Sequence, residues 1–178
     1  MESVTDFISE RLKLKVNQAK SAVARPREGK FLGFSFTSHR EPKRRIAPKA
    51  LVRFKQRVRE LTSRTRGVSL EKRVQELASY LRGWRSYFSF CQTPWTLVHL
   101  DAWVRRRLRS AMWKQWKTFG RRVKELQKRG VSREWAVRTA SSGLGPWRLS
   151  HEPSICQALP NAFFDALGVP RLAPKPTA

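Results

Sequence analysis

The sequence predicts a mainly α-helical protein with a small N-terminal β-hairpin or meander, in which a helical bundle is followed by a small helical domain. Apolar residues recur at spacings of three and four through three long segments, which is the period of a helix with one buried face. Residues 31–36 instead form a short aromatic run after a turn-like segment, which is typical of a strand. The 178 residues suffice for one domain with a core.

The first 47 residues are predicted to form one helix and two short strands. A helix over residues 3–12 is indicated by an apolar face made of Val4, Phe7, Ile8 and Leu12. Ser3 and Asp6 resemble a capping box at its start. The aromatic run 31–36 is the first predicted strand, and residues 43–47 are the second.

Two long helices are predicted next. Pro48 opens the first, because proline is favoured at the first helical position. Ser69 caps the second, which extends over residues 69–90. Its apolar seam predicts core residues at Leu70, Val74, Leu77, Leu81, Trp84 and Phe88. Gly83, within that helix, is expected to permit close helix approach.

The rest of the chain is predicted to be helical as well. Pro94 opens a third long helix that extends to about Phe119, after which Gly120 is expected to interrupt it. Shorter helices follow at 121–128, at 132–140 after a Ser132 cap, and at 161–167, with a break at 143–147. These patterns predict three units: residues 1–47, 48–128, and 129–178 with a frayed tail.

The charge is strongly positive and unevenly distributed. Lysine and arginine number 38 against 13 acidic residues, a net charge of +25. Residues 43–66 hold ten basic residues and one acidic residue, and residues 105–129 hold eleven and one. Such clustering favours two elements that contact a polyanion, with nucleic acid as the first candidate.

The candidate RNA-binding residues lie in these two blocks. They are Lys49, Arg53, Arg57, Arg105, Arg106, Arg107, Arg109, Lys114, Lys117, Arg121 and Arg122. In the third long helix, the arginines at 105, 106 and 109 are predicted to lie opposite the core face, together with Trp113 and Trp116. These tryptophans could stack on bases or pack beneath the following segment, and the sequence leaves both possibilities open.

Several functional classes are disfavoured. The three aspartates, Asp6, Asp101 and Asp165, are far apart in sequence, so we expect no two-metal phosphoryl-transfer site, no independent enzyme activity and no cofactor. Cys91 and Cys156 with three scattered histidines predict no metal site and a reducing, cytoplasmic compartment. No run of 18 apolar residues is present, so we expect no membrane partner.

Ordered motifs resemble the C-terminal part of group II intron-encoded reverse transcriptases, also called maturases. The stretch Leu-Arg-Gly-Trp-Arg-Ser-Tyr-Phe at 81–88 is very like the signature of their maturase-specific domain, and residues 100–109 and 113–117 extend the match. Residues 12–21 resemble a late palm motif, and 31–34 a primer-grip hairpin. Residues 145–148 and 161–164 resemble the C-terminal end of the family. The resemblance implies a palm remnant over 1–47 and a thumb-like bundle over 48–128. It matches Lys20 to a position near the incoming nucleotide, but that role is idle without the catalytic aspartates, so a solvated lysine is expected.

The family's catalytic Tyr-Ala-Asp-Asp sequence is missing from the chain. The resemblance therefore implies a C-terminal fragment that binds structured intron RNA and assists splicing, without polymerase activity of its own. One alternative is a split RNA-directed DNA polymerase, completed by a separate palm-containing polypeptide. Others are a general nucleic-acid-binding protein or a non-functional remnant.

Overall fold

A computed structural model describes residues 2–17, 21, 25, 29–63 and 65–173, and it confirms the predicted fold class. The described elements are mainly helical, with one small antiparallel hairpin before the long helices. In chain order they are α1 (Glu2–Glu10), β1 (Phe34–Phe36), β2 (Arg44–Ile46), α2 (Pro48–Leu61), α3 (Leu70–Tyr87), α4 (Pro94–Gln115), α5 (Phe119–Lys128), α6 (Arg133–Ala140), α7 (Pro146–Leu149), α8 (Pro153–Ala158) and α9 (Asn161–Ala166). The predicted tail beyond residue 173 and Lys20 lie outside the described residues.

The hairpin pairs β1 with β2 in antiparallel register, with Phe34 opposite Ile46. The predicted first strand is shorter than expected, because residues 31–33 form a turn before it. Leu32 and Gly33 both have positive φ angles, 47° and 79°. A strand cannot continue through this left-handed backbone conformation.

The bundle begins where the sequence predicts it. Pro48 is the first residue of α2, and the Ser69 hydroxyl accepts a hydrogen bond from the Lys72 N–H to cap α3. The predicted seam of α3 is confirmed, with four residues fully buried or nearly so, and with Leu70 and Trp84 partly buried against the core. A continuous cluster of buried apolar side chains extends from Ile46 to Leu172.

The third long helix ends earlier than predicted. Helix α4 stops at Gln115, and Gly120 lies inside α5 rather than between two helices. The break occurs at 116–118 because Trp116 turns into the core and the Thr118 hydroxyl accepts from the Arg121 N–H, which starts a new helix. The predicted Ser132 cap of α6 is confirmed by its bond from the Trp135 N–H.

Two short helices in the C-terminal part were not predicted. Helix α7 occupies part of the expected break at 143–147, and α8 follows it. Both begin with a proline and are only one or two turns long, so they carry too few residues to show a helical period. The predicted last helix is confirmed as α9, and Gly168 ends it with a φ of 91°.

Two local predictions are wrong. Helix α1 already includes Glu2, so Ser3 lies inside the helix and cannot cap it as part of a capping box. Gly83 is exposed, and a Cβ built on it would meet nothing within 4 Å, so it does not serve close helix packing. Helix α1 itself buries none of its residues, although Val4 and Phe7 lie on one face as predicted.

Candidate nucleic-acid interface

Helix α5 presents a row of basic side chains to solvent. Leu126 is buried and Val123 packs partly against the core, so the opposite side of the helix faces outward. Arg121, Lys124 and Lys128 are spaced by three and four positions and are all exposed. We call these three residues the α5 face.

The α5 face has no compensating acidic group among the residues that the structure describes. None of its three side chains forms an ion pair or a side-chain hydrogen bond there. The single acidic residue of the helix, Glu125, is bound by Arg129, which also donates to the Glu125 backbone carbonyl. The positive charge of the face is therefore available to an external anion.

Two further lysines extend the basic surface toward α4. Lys114 lies in the last turn of α4 and Lys117 in the link to α5, and both are exposed as predicted. With Arg121 they place three exposed cations within eight residues of chain. A junction of this kind offers several phosphate contacts at once, and each contact that neutralises a phosphate releases a counterion.

A second basic cluster lies at the start of α2. Ala50, Phe54 and Val58 point into the core, whereas Lys49 and Arg53 are exposed and one helical turn apart. Lys30 lies beside Lys49, and the charge of Lys49, followed by partial desolvation, holds the pKa of Lys30 below its ordinary value. We call Lys30, Lys49 and Arg53 the α2 cluster.

The α2 cluster holds like charges together. Repulsion from the Lys49 ammonium group disfavours the protonated state of Lys30, and an anion placed between the two groups would relieve that repulsion. Arg57, the third residue of the predicted stripe, differs because its guanidinium lies 2.9 Å from a Glu60 carboxylate oxygen. The hydrogen bond from Arg57 lowers the pKa of Glu60, so Arg57 already has an anionic partner.

The predicted exposed face of α4 is wrong for Arg105 and Arg109, which are both buried. Arg105 donates to Asp101 at 3.0 Å and to Asp165 at 2.6 Å. Arg109 donates to the Leu159 carbonyl at 2.8 Å and to Asn161 Oδ1 at 2.9 Å. Both guanidiniums are bound inside the fold, so we exclude them from the candidate interface.

The neighbouring arginines of α4 are half-buried and also bind other elements. Arg106 donates to the Trp147 carbonyl at 3.1 Å, and its guanidinium lies 4.1 Å from the centre of the Trp147 ring. Arg107 donates to Thr62 Oγ1 at 3.0 Å and to the Arg59 carbonyl, which joins α4 to the end of α2. These contacts make the arginine run of α4 a set of cross-links between helices.

The two tryptophans at the end of α4 pack in the core. Trp113 is 1% exposed and Trp116 is 4% exposed, and their rings meet edge to face at 5.9 Å. Arg122, a predicted RNA contact, lies 4.8 Å from the Trp113 ring centre and donates to the Trp116 carbonyl. Both rings are therefore packed in the core and cannot stack on bases. Arg122 contacts both tryptophans and supports that packing.

Sequence reasoning missed three of the exposed cations. Lys124 and Lys128 are not among the predicted RNA-binding residues, although their spacing from Arg121 would place them on the same face of the helix as Arg121. Lys30 lies in a loop 19 residues before Lys49, so no period connects the two. Only the folded hairpin brings Lys30 beside Lys49.

Other kinds of site find little support in the described part of the chain. No group of three or more His, Cys, Asp or Glu side chains there could hold a metal ion. Its helices are all too short or too polar to cross a membrane. Cys91 and Cys156 are free thiols.

Residues 51–130 match the model of one protein family, the group II intron, maturase-specific domain. The matched segment begins in α2, ends just after α5, and contains Arg53 and the whole α5 face. This match confirms the resemblance of residues 51–130 to a maturase-specific domain. The resemblances of residues 12–34 and 145–164 lie outside the matched segment and stay predictions. Comparison of the chain with curated proteins gives no match.

Proposed function

We propose, on the premise that residues 51–130 are a maturase-related domain, that this chain binds structured group II intron RNA and assists its splicing. In this proposal the RNA carries out the splicing chemistry, and the protein stabilises its folded form. Crowded RNA helices repel each other through their phosphates, and bound lysines and arginines reduce that repulsion.

The observation that supports this proposal best is the uncompensated α5 face inside the matched segment. Arg121, Lys124 and Lys128 are exposed, share one face and have no acidic partner among the described residues. The α2 cluster adds a second cationic surface whose like charges are close enough to lower a lysine pKa. Two such surfaces suit a ligand with many phosphates.

Binding to folded intron RNA tests the proposal. The purified chain is titrated into a group II intron RNA folded with Mg²⁺ and, in parallel, into an unstructured RNA of equal length and composition. We expect clearly tighter binding to the folded intron. Equal affinity for both would contradict the proposal and favour a general nucleic-acid-binding protein.

We propose that the chain has no polymerase activity alone. Two of its three aspartates have structural partners, because Asp101 and Asp165 both bind Arg105. Two-metal catalysis needs carboxylates that converge on the ions, whereas Asp101 and Asp165 are already paired with Arg105 and Arg171. Primer extension on an RNA template, with Mg²⁺ or Mn²⁺, is expected to yield no product, and template-dependent extension would contradict this view.

A split RNA-directed DNA polymerase is the second candidate, and the state of α1 favours it. Val4 is 62% exposed and Phe7 is 56% exposed, and the helix buries no residue in this chain. A separate palm-containing polypeptide would cover this apolar face. Adding such a polypeptide to the wild-type chain should produce primer extension, and the Phe7→Ser variant should lose it. Primer extension that survives in Phe7→Ser would contradict the proposal that α1 is the docking surface.

A further inference from the structure

A groove of about 430 Å³ lies between α2, α3 and the turn that precedes β1. Its volume falls in the range of about 300–1,000 Å³ that is usual for small-molecule sites. We call it the aromatic groove, and its main lining residues are Gly33, Arg53, Phe54, Tyr80, Trp84 and Tyr87.

The aromatic walls are held in place by contacts with one another. Phe54 is fully buried, and its ring centre lies 4.3 Å from that of Trp84 and 5.8 Å from that of Tyr80. Trp84 and Tyr80 are only partly buried, so part of each ring system remains accessible. The accessible rings therefore rest on a packed support.

The turn at the edge of the groove is fixed as well. The Tyr87 hydroxyl donates to the Leu32 carbonyl at 2.9 Å. Gly33 has a φ of 79°, and a Cβ on it would lie only 3.2 Å from the Phe88 ring, so a glycine suits the close approach of this turn to the end of α3. The groove is thus formed without a ligand.

The groove is aromatic in its walls and cationic at its margin. Arg53 lines it and forms no ion pair or side-chain hydrogen bond with another described residue. Lys49 lies one turn earlier on α2, and its ammonium group is close enough to Lys30 to lower the pKa of that residue. An apolar peptide would gain little from these cations, whereas a nucleotide carries a ring for the walls and a phosphate for the margin.

We propose that the aromatic groove binds one unpaired nucleobase of RNA, stacked on Trp84 and Tyr80, with its phosphate held by Arg53 and Lys49. The proposal rests on the proposed RNA-binding function and adds a preference for unpaired nucleotides. A base in a duplex has neighbours on both faces, so it cannot enter the groove. Every base has a stacking face, so we expect little sequence preference.

The test uses three RNA hairpins that differ at one point. The first is fully paired, the second has one unpaired uridine, and the third has an abasic nucleotide at that place. We expect the wild-type chain to bind the uridine hairpin about 5- to 100-fold more tightly than the other two, as stacking of one base on aromatic rings would give. Equal affinity for all three hairpins would overturn the groove proposal while leaving RNA binding intact.

Two substitutions test whether the preference for the uridine hairpin arises in the aromatic groove. Trp84→Leu keeps an apolar side chain but removes the ring, and Arg53→Gln removes an exposed charge that the fold does not need. Each should reduce the preference for the uridine hairpin to within about threefold, and thermal unfolding shows whether Trp84→Leu is folded. If Trp84→Leu is unfolded, the hairpin preference of Arg53→Gln alone tests the proposal.

The matched control is Lys128→Gln on the α5 face, which removes one charge away from the groove lining. It should weaken binding to all three hairpins equally and leave the preference unchanged. A preference that survives in a folded Trp84→Leu and in Arg53→Gln would overturn the proposal. Failure of the wild-type chain to bind any of the three hairpins would instead count against the proposed function.

Discussion

Arg105 Nη2 lies 2.6 Å from Asp165 Oδ1, across 60 positions of sequence, and this contact joins α4 to α9. The same guanidinium binds Asp101, whose carboxylate accepts from the backbone N–H groups of Leu172 and Ala173 at 2.9–3.0 Å. An ionic network centred on the buried Arg105 therefore fixes the C-terminal segment against the longest described helix.

The first prediction concerns this network. Arg105→Gln should lower the free energy of unfolding by about 3 kcal/mol, because the buried Arg105 is shared by Asp101 and Asp165 and its loss leaves Asp101 without a cationic partner. Urea unfolding measures the change. Arg121→Gln, on the α5 face, is the control and should change stability by less than about 0.5 kcal/mol. Similar effects of the two substitutions would contradict the structural role of Arg105.

The second prediction concerns acid. Burial opposes ionisation of Asp165, but hydrogen bonds from Arg171 and Arg105 outweigh it and lower its pKa. A carboxylate whose pKa is lowered by folding stabilises the folded protein. This contribution is complete at pH values above the pKa of the unfolded state, about 3.9, and it is lost as the pH falls through the pKa of the folded state.

Wild-type stability should therefore fall below about pH 4, and Asp165→Asn should remove part of that fall because the amide does not titrate. Unfolding in urea over a pH series from about 7 to 3 measures both curves. Curves that stay parallel throughout would contradict an ionic role for Asp165.

The third prediction separates two glycines. Gly33→Ala should cost about 1–2 kcal/mol, because its φ of 79° is strained for any residue with a Cβ, and the new Cβ would crowd Phe88. Gly83→Ala lies in open space within α3 and should stabilise by up to about 1 kcal/mol. Thermal unfolding of both variants is the measurement, and shifts of the same sign would contradict this account.

The sequence predicted the long helices well because their apolar spacing is strong and their starts carry explicit signals. Pro48 and Ser69 mark the beginnings of α2 and α3 within one residue. Helices α7 and α8 are too short to have a period, and the break before α5 depends on how Trp116 packs. Tertiary contacts decide such features.

The candidate site was predicted only in part, and Arg105 and Arg121 show why. Both belong to the same run of basic residues, yet one is buried and the other exposed. The acids that bind Arg105 include Asp165, which is distant in sequence, so a local charge count cannot reveal the pairing. Exposure and partners, rather than charge density, select the residues that can reach a phosphate.

The fourth prediction concerns the α2 cluster. Lys49→Gln relieves the repulsion on Lys30, so the melting temperature should stay the same or rise while RNA affinity falls. The paired measurements are thermal unfolding and RNA titration. A loss of stability together with unchanged RNA affinity would indicate that Lys49 serves the fold instead.

The fifth prediction is the most direct test of the central claim, that the α5 face contacts RNA phosphates. The measurement is the slope of log affinity for folded intron RNA against log salt concentration. Replacing Arg121, Lys124 and Lys128 together with glutamine should flatten the slope by roughly 2–3 units, since each lost contact removes about 0.7–0.9. Replacing Arg133, Arg138 and Arg148, which are also exposed but lie outside this face, removes the same charge and should leave the slope nearly unchanged. Equal flattening by the two triple variants would contradict the claim, because the charge would then act only in bulk.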